Sequence, residues 1–173
     1  MAKLEIITAP DPRLKQACRP VERVDDAVRR LMDDMLETMY LATGIGLAAP
    51  QVGVLLRVIV VDVSKEGRES SPLKMANPKV VWRSDGLVRY EEGCLSVPDN
   101  FGEVERPERV RVGYLDRDGA AREDEFDGVL ATCVQHEIDH LDGVLFVDHL
   151  SALKRNIIIR RLQKARRIKA AAE

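Results

Sequence analysis

The sequence predicts an α+β fold, with mostly antiparallel strands packed around one central helix and further helices near the N- and C-termini. Three observations predict it. An apolar stripe at helical spacing spans residues 25–42, short β-branched or alternating runs fill residues 57–127, and helical patterns return at 128–142 and 151–173. Strands that follow one another without intervening helices point to an antiparallel sheet rather than a parallel α/β one.

In the first helix, Val28, Leu31, Met32, Met35, Leu36 and Met39 fall on one face, and Asp25 is placed to cap it. The methionines read as core filling. The Gly-rich stretch from Gly44 to Gln51 ends this pattern. Residues 57–63 (RVIVVDV) are apolar and β-branched apart from Arg57 and Asp62, as in a strand buried on both faces. Further strands are expected at 79–82, 86–90 and 109–114, the last of them alternating. Asp116-Arg-Asp-Gly119 supplies hairpin chemistry, which makes 120–127 the return strand before a helix over 128–142.

The chain has 173 residues, 45% apolar and 32% charged, enough for one folded domain without staples. Its net charge of -2 argues against a uniformly basic nucleic-acid binder, and no sequence-specific DNA partner is expected. No apolar run reaches the ~18 residues of a transmembrane helix. The N-terminal MAKLEIITAPDPRL has no signal-peptide core, so the cytoplasm of a bacterium is the expected location. The three cysteines, Cys18, Cys94 and Cys133, are odd in number and widely spaced, which favours metal binding or burial over disulfides.

Charge is uneven. Residues 151–173 hold eight basic side chains and one acid, a net of +7, against 19 basic and 28 acidic side chains, a net of -9, in residues 1–150. Leu153, Ile157, Ile158, Leu162, Ala165 and Ile168 recur at near-helical spacing, so this tail is an amphipathic helix. Its basic face is either simply solvated or docks a polyanion such as ribosomal RNA. No Trp or Phe anchors the apolar face in a membrane.

The chemistry concentrates in Gln135-His-Glu-Ile-Asp-His140. On a helix, His136 and His140 share one face a turn apart, which suits two nitrogens on a single metal ion. Glu137 turns about 100° away, out of their shell but within reach of a water there. The metalloprotease patterns need a third ligand downstream. There the chain offers only His149, nine residues past His140, and Glu173 at its end. Cys94, in Glu91-Glu-Gly-Cys-Leu-Ser-Val-Pro98, is the upstream candidate. One sulfur and two imidazoles leave a fourth position open, as catalytic sites require. Cys133 shares the helix face of His136 and reads as pocket wall. Three alternatives stay open: a zinc peptidase with another third ligand, a structural metal module closed by His149 or Cys133, and a Cys94 nucleophile with one histidine as base.

Three separated stretches, Gly44-Ile-Gly-Leu-Ala-Ala-Pro-Gln51, Glu92-Gly-Cys-Leu-Ser-Val-Pro98 and Gln135-His-Glu-Ile-Asp-His140, resemble in order and spacing the three motifs of bacterial peptide deformylases. The likeness covers essentially the whole chain, with the basic C-terminal helix resembling a variant common in Gram-negative bacteria. It implies hydrolytic removal of the N-formyl group from the formyl-methionine of nascent polypeptides, with release of formate. It further implies a divalent metal, natively Fe2+ with Zn2+, Ni2+ or Co2+ as substitutes, on Cys94, His136 and His140. Glu137 would be the general acid/base. The Gln51 side chain and the Leu95 backbone N–H would stabilise the oxyanion, and the Gly46 backbone would pair with an extended substrate. Beside these, Ile45, Val129 and Cys133 are expected to wall the methionine pocket, and Gln135 or Asp139 to orient a ligand from behind. Residues 1–150 would form the catalytic domain, with 151–173 a helix packed on it or extending from it, through which the ribosome is a candidate partner.

Overall fold

The computed structural model describes residues 2–64 and 69–173. Seven strands occur in it: β1 (Gly46–Ala48), β2 (Val58–Val61), β3 (Leu73–Arg83), β4 (Leu87–Cys94), β5 (Val97–Pro107), β6 (Arg109–Leu115) and β7 (Ala121–Asp127). Three α-helices accompany them: α1 (Asp26–Leu41), α2 (Gly128–Leu141) and α3 (Ala152–Ala172). Short 3₁₀ turns lie at Pro12–Lys15, Ala49–Val52 and Phe146–His149. The sheet order is β1-β2-β3-β6-β7, with β4-β5 as a separate ribbon, and each of these pairs is antiparallel. The expected α+β class is the observed one.

The continuous apolar run of β2 has a direct cause. Ile59 and Val61 face α2, packing in one cluster with Val134, Ile138 and Leu141. Val58 and Val60 face the other way, against Met32, Met35 and Met39 of α1. The sheet is therefore covered on both sides, and a strand buried on both faces has no polar alternation to show. The α1 register follows from its cap, since the Asp25 carboxylate accepts from Val28 N–H at 3.0 Å. The hairpin between β6 and β7 closes at Gly119, whose φ of 83° is left-handed, as the Asp-Gly pair predicts.

Two strand expectations need correction. The strand expected at 79–82 is the end of β3, which starts at Leu73 and crosses Asn77-Pro78. Asn77 takes a φ of 51°, and the pairing with β6 shifts register beside it. Its side chain is held to the Val21 backbone, accepting from N–H at 2.8 Å and donating to the carbonyl at 2.9 Å. Strand β5 was not anticipated at all. It carries Val97 and Val104 into a third cluster with Phe146, Ile158 and Leu162.

Helix α3 is longer than its apolar contact. Of the six stripe positions only Ile158 and Leu162 are buried, while Leu153 and Ile168 are 71% and 61% exposed. No helix among the described residues is long and apolar enough to cross a membrane.

Candidate metal centre

Cys94 ends β4, and a two-residue turn, Leu95-Ser96, leads directly into β5. This turn carries the sulfur to the buried face of α2. One ligand atom each from Cys94, His136 and His140 lies within 4.8 Å of the other two. Metal–sulfur and metal–nitrogen bonds of about 2.0–2.3 Å allow a single ion to touch all three. His140 Nε2 is 3.3 Å from Cys94 Sγ. The rings of His136 and His140 meet edge-on with centroids 5.1 Å apart, as the i, i+4 spacing on α2 dictates.

The partner of His136 fixes its tautomer. Nδ1 lies 2.8 Å from Glu92 Oε1. A carboxylate held by an arginine only accepts, so Nδ1 carries the proton and Nε2 presents a lone pair to the centre. Arg106 grips the same carboxylate with a two-pronged fork, Nε to Oε2 at 2.7 Å and Nη2 to Oε1 at 3.0 Å. Both side chains are only 6% exposed. Burial works to raise the Glu92 carboxyl, but the hydrogen bonds from His136 and Arg106 outweigh it and hold the group below its usual range. Phe146 stacks on His136 with centroids 6.2 Å apart. Burial drives His140 well below the usual imidazole range, with His136 adding to the effect. The neutral ring that results is the ligand form. His140 Nδ1 is buried without a partner.

Glu137 follows His136 on α2 and is buried. Its Oε1 is 4.0 Å from His136 Nε2, and its Oε2 is buried with no hydrogen-bond partner. Burial, opposed in part by His136, pushes the carboxyl up to about 7. A group with that affinity for protons, and with Oε1 4.0 Å from His136 Nε2, is suited to accept and return a proton near neutrality. The donor set and this orphaned oxygen fit a divalent ion with an open position.

The remaining expected residues border the same cleft of about 670 Å³. Ile45, Gly46, Leu95, Val129 and Cys133 all line it. Gln51 lies behind it, in the 3₁₀ turn after β1, with Oε1 accepting from Ala48 N–H at 2.9 Å. Its Nε2 is 3.4 Å from Cys94 Sγ and 3.1 Å from Ser96 Oγ. The N-terminal segment stitches these parts together, Ile7 N–H to the Gln51 carbonyl and Ala9 N–H to the Ser96 carbonyl, each at 2.8 Å. Strand β1 is the edge strand of the sheet, so its outer backbone faces the cleft.

Of the two residues expected to orient a ligand from behind, Gln135 donates to the Pro107 and Ala131 carbonyls and bonds to neither His136 nor His140. Asp139 bonds to Arg106 and His149 rather than to His140, and reaches His136 only through Arg106 and Glu92. Cys133 Sγ is 3.6 Å from the Ile45 carbonyl, and His149 pairs with Asp139, so neither belongs to the three-residue cluster found among the described residues. Glu92 and Arg106 went unrecognised in the sequence. Glu92 precedes Cys94 by two residues in a strand, hence shares its face, and that spacing was the available signal.

A helix bearing paired histidines and a buried glutamate, closed by one sulfur from a β-turn, defines a metallohydrolase. The family model described as polypeptide deformylase matches residues 3–156, and the chain belongs to that family. A peptide deformylase of Methylocella silvestris is 60% identical over 168 residues, covering 95% of this chain and 86% of that protein. The crystal structure of peptide deformylase from Ehrlichia chaffeensis superposes with a TM-score of 0.92 at 42% identity, covering 98% of this chain and 99% of that one. A second structure of the Ehrlichia protein, in complex with actinonin, gives 0.91 at 46% identity, covering 95% of this chain and 98% of that one.

Proposed function

We propose that Glu137, beside a divalent ion held by Cys94, His136 and His140, carries the deformylase reaction of this chain. The enzyme is a metal-dependent hydrolase that removes the N-formyl group from the N-terminal formyl-methionine of nascent polypeptides, releasing formate. The observation that carries the residue assignment is the convergence of Cys94, His136 and His140 on one point, with Glu137 Oε1 4.0 Å from His136 Nε2.

A divalent ion held by these residues would supply Lewis acidity and lower the pKa of water. The donor set of one thiolate and two imidazoles suits Fe2+, our assignment for the native ion, and also Zn2+, Co2+ or Ni2+. Glu137 takes the proton of the attacking water and delivers it to the departing amine. Gln51 Nε2, which otherwise rests between Cys94 Sγ and Ser96 Oγ, and Leu95 N–H donate to the oxyanion. The β1 backbone at Gly46 adds the extended peptide to the sheet edge. Ile45, Val129 and Cys133 enclose the methionine side chain, for which a flexible thioether is well shaped. We assign residues 1–150 to the catalytic body and 151–173 to an appended helix, in a cytoplasmic protein.

The decisive assay is anaerobic formate release from a formyl-Met peptide, comparing wild type with Glu137→Ala at equal metal content. Loss of a general acid/base predicts a rate lower by roughly 10²–10⁴-fold. Equal rates would remove Glu137 from the mechanism.

For α3 we propose docking to ribosomal RNA through its exposed basic face. Because Ile158 and Leu162 are core residues, the test neutralises Lys164, Arg166 and Arg167 instead of truncating the helix. Co-sedimentation with ribosomes at low salt should fall. Unchanged co-sedimentation leaves the helix a structural element only.

A further inference from the structure

A continuous set of hydrogen bonds runs from the molecular surface to the metal-binding His136. His149 Nε2 lies 2.8 Å from Asp139 Oδ2. The same oxygen accepts from Arg106 Nη1 at 2.9 Å. The other prongs of Arg106 hold both oxygens of Glu92, and Glu92 Oε1 takes the Nδ1 proton of His136. His149 is 37% exposed, whereas Arg106 and Glu92 are buried. His149 closes the 3₁₀ turn Phe146–His149, whose Phe146 stacks on His136 and which leads through Ser151 into α3.

We infer that Asp139 and His149 are positioning residues for the metal centre, acting through Arg106 and Glu92 on His136. This rests on the reading of Cys94, His136 and His140 as the metal ligands. The geometry gives each member one task. Glu92 must keep its carboxylate in the plane of His136 for Nε2 to aim at the ion. The two-pronged grip of Arg106 sets that plane. Asp139 anchors the third nitrogen of the guanidinium, so the fork cannot pivot. His149, as an N–H donor, holds the Asp139 oxygen where Arg106 needs it.

Charge supports the same assignment. Glu92 and Asp139 flank one arginine, so the three together are net negative opposite a centre that one thiolate and a divalent ion make net positive. Without Asp139 the set is neutral, and the ion loses a favourable field as well as a fixed ligand. Glu92 and His136 line the cleft, whereas Arg106, Asp139 and His149 do not, so the two positioning residues reach the ion only through Arg106 and Glu92.

The test uses full-length cobalt-substituted protein, with three variants and three readouts: the rate of cobalt transfer to a chelator, the sulfur-to-cobalt absorption band, and the melting of the metal-free protein. Asp139→Asn should speed metal loss about tenfold. His149→Phe, which keeps a ring but no donor, should speed it about threefold. His149→Gln retains an N–H and should restore the wild-type rate. Equal loss rates in wild type, Asp139→Asn and His149→Phe would overturn the inference, as would faster loss in His149→Gln and His149→Phe alike in step with lowered melting. A wild-type chain that takes up no cobalt, or takes it up without the sulfur band, would overturn the metal centre and this inference together.

Discussion

A β-carbon built on Gly46 would lie 2.6 Å from Oε1 of Glu137, far inside van der Waals contact, and 2.8 Å from Cys133 Sγ. The edge strand thus presents bare backbone at the one point where the buried carboxylate passes it. Gly46→Ala should displace Glu137. A misplacement on the scale of an ångström costs about 100-fold in rate. Steady-state kinetics with metal analysis checks this. We expect kcat to fall with metal content unchanged, and an unaltered kcat would show that Glu137 tolerates a side chain there.

Glu92 balances a buried guanidinium as well as fixing His136. Glu92→Ala leaves Arg106 buried with Asp139 alone, and breaking a buried pair costs about 3–5 kcal/mol. Urea unfolding of the metal-free protein measures that loss. Glu92→Gln keeps an acceptor for His136 and should unfold closer to wild type while its metal affinity drops roughly 10–100-fold. Equal stability of Glu92→Ala and wild type would mean that solvent reaches Arg106.

Asp33 ties α1 to the sheet, accepting from Lys74 Nζ at 2.7 Å and from Arg117 Nη2 at 2.8 Å. Its hydrogen bond with Arg117, against the opposing effect of burial and with the help of Lys74, lowers the carboxyl from 3.8 to about 2. A folded value below the unfolded one gives stability that is present above pH 3.8 and is lost as pH falls through about 2. Asp33→Asn should therefore be less stable than wild type at pH 5, with the difference shrinking toward pH 2. A constant difference across that window would assign the loss to packing.

Gly143 follows α2 with a φ of 73°, and a β-carbon there would sit 2.5 Å from the Lys15 carbonyl oxygen. Backbone blocks relief of that contact. Gly143→Ala combines left-handed strain with a clash and should destabilise by about 1–3 kcal/mol, read by thermal unfolding. An unchanged melting temperature would show that the Lys15 segment moves aside.

The residues with chemistry were legible because their spacing is local. His136, Glu137 and His140 declare themselves on one helix, and Asp25 and Asp118-Gly119 punctuate the chain where caps and turns form. Cys94 was reached by want of a suitable downstream ligand. What escaped depends on contacts distant in sequence. Strand β5 mixes buried Asn100 and Arg106 with exposed Glu103 and Glu105, so it shows no apolar alternation. Its Arg106 is buried only because Glu92 and Asp139 arrive from two other elements. Strand β3 hid behind Asn77-Pro78, a pair that normally ends a strand, and is continuous because the Asn77 side chain is satisfied by Val21. The α3 stripe predicts an amphipathic helix, yet only its middle meets the third cluster.

X-ray absorption at the metal edge of anaerobically purified protein reads the ligand shell itself. Our assignment predicts one ion per chain, with one sulfur from Cys94, two imidazole nitrogens from His136 and His140, and a lighter exchangeable donor. Cys94→Ser should erase the sulfur contribution. A wild-type shell without sulfur, or one filled by four protein side chains, would contradict it.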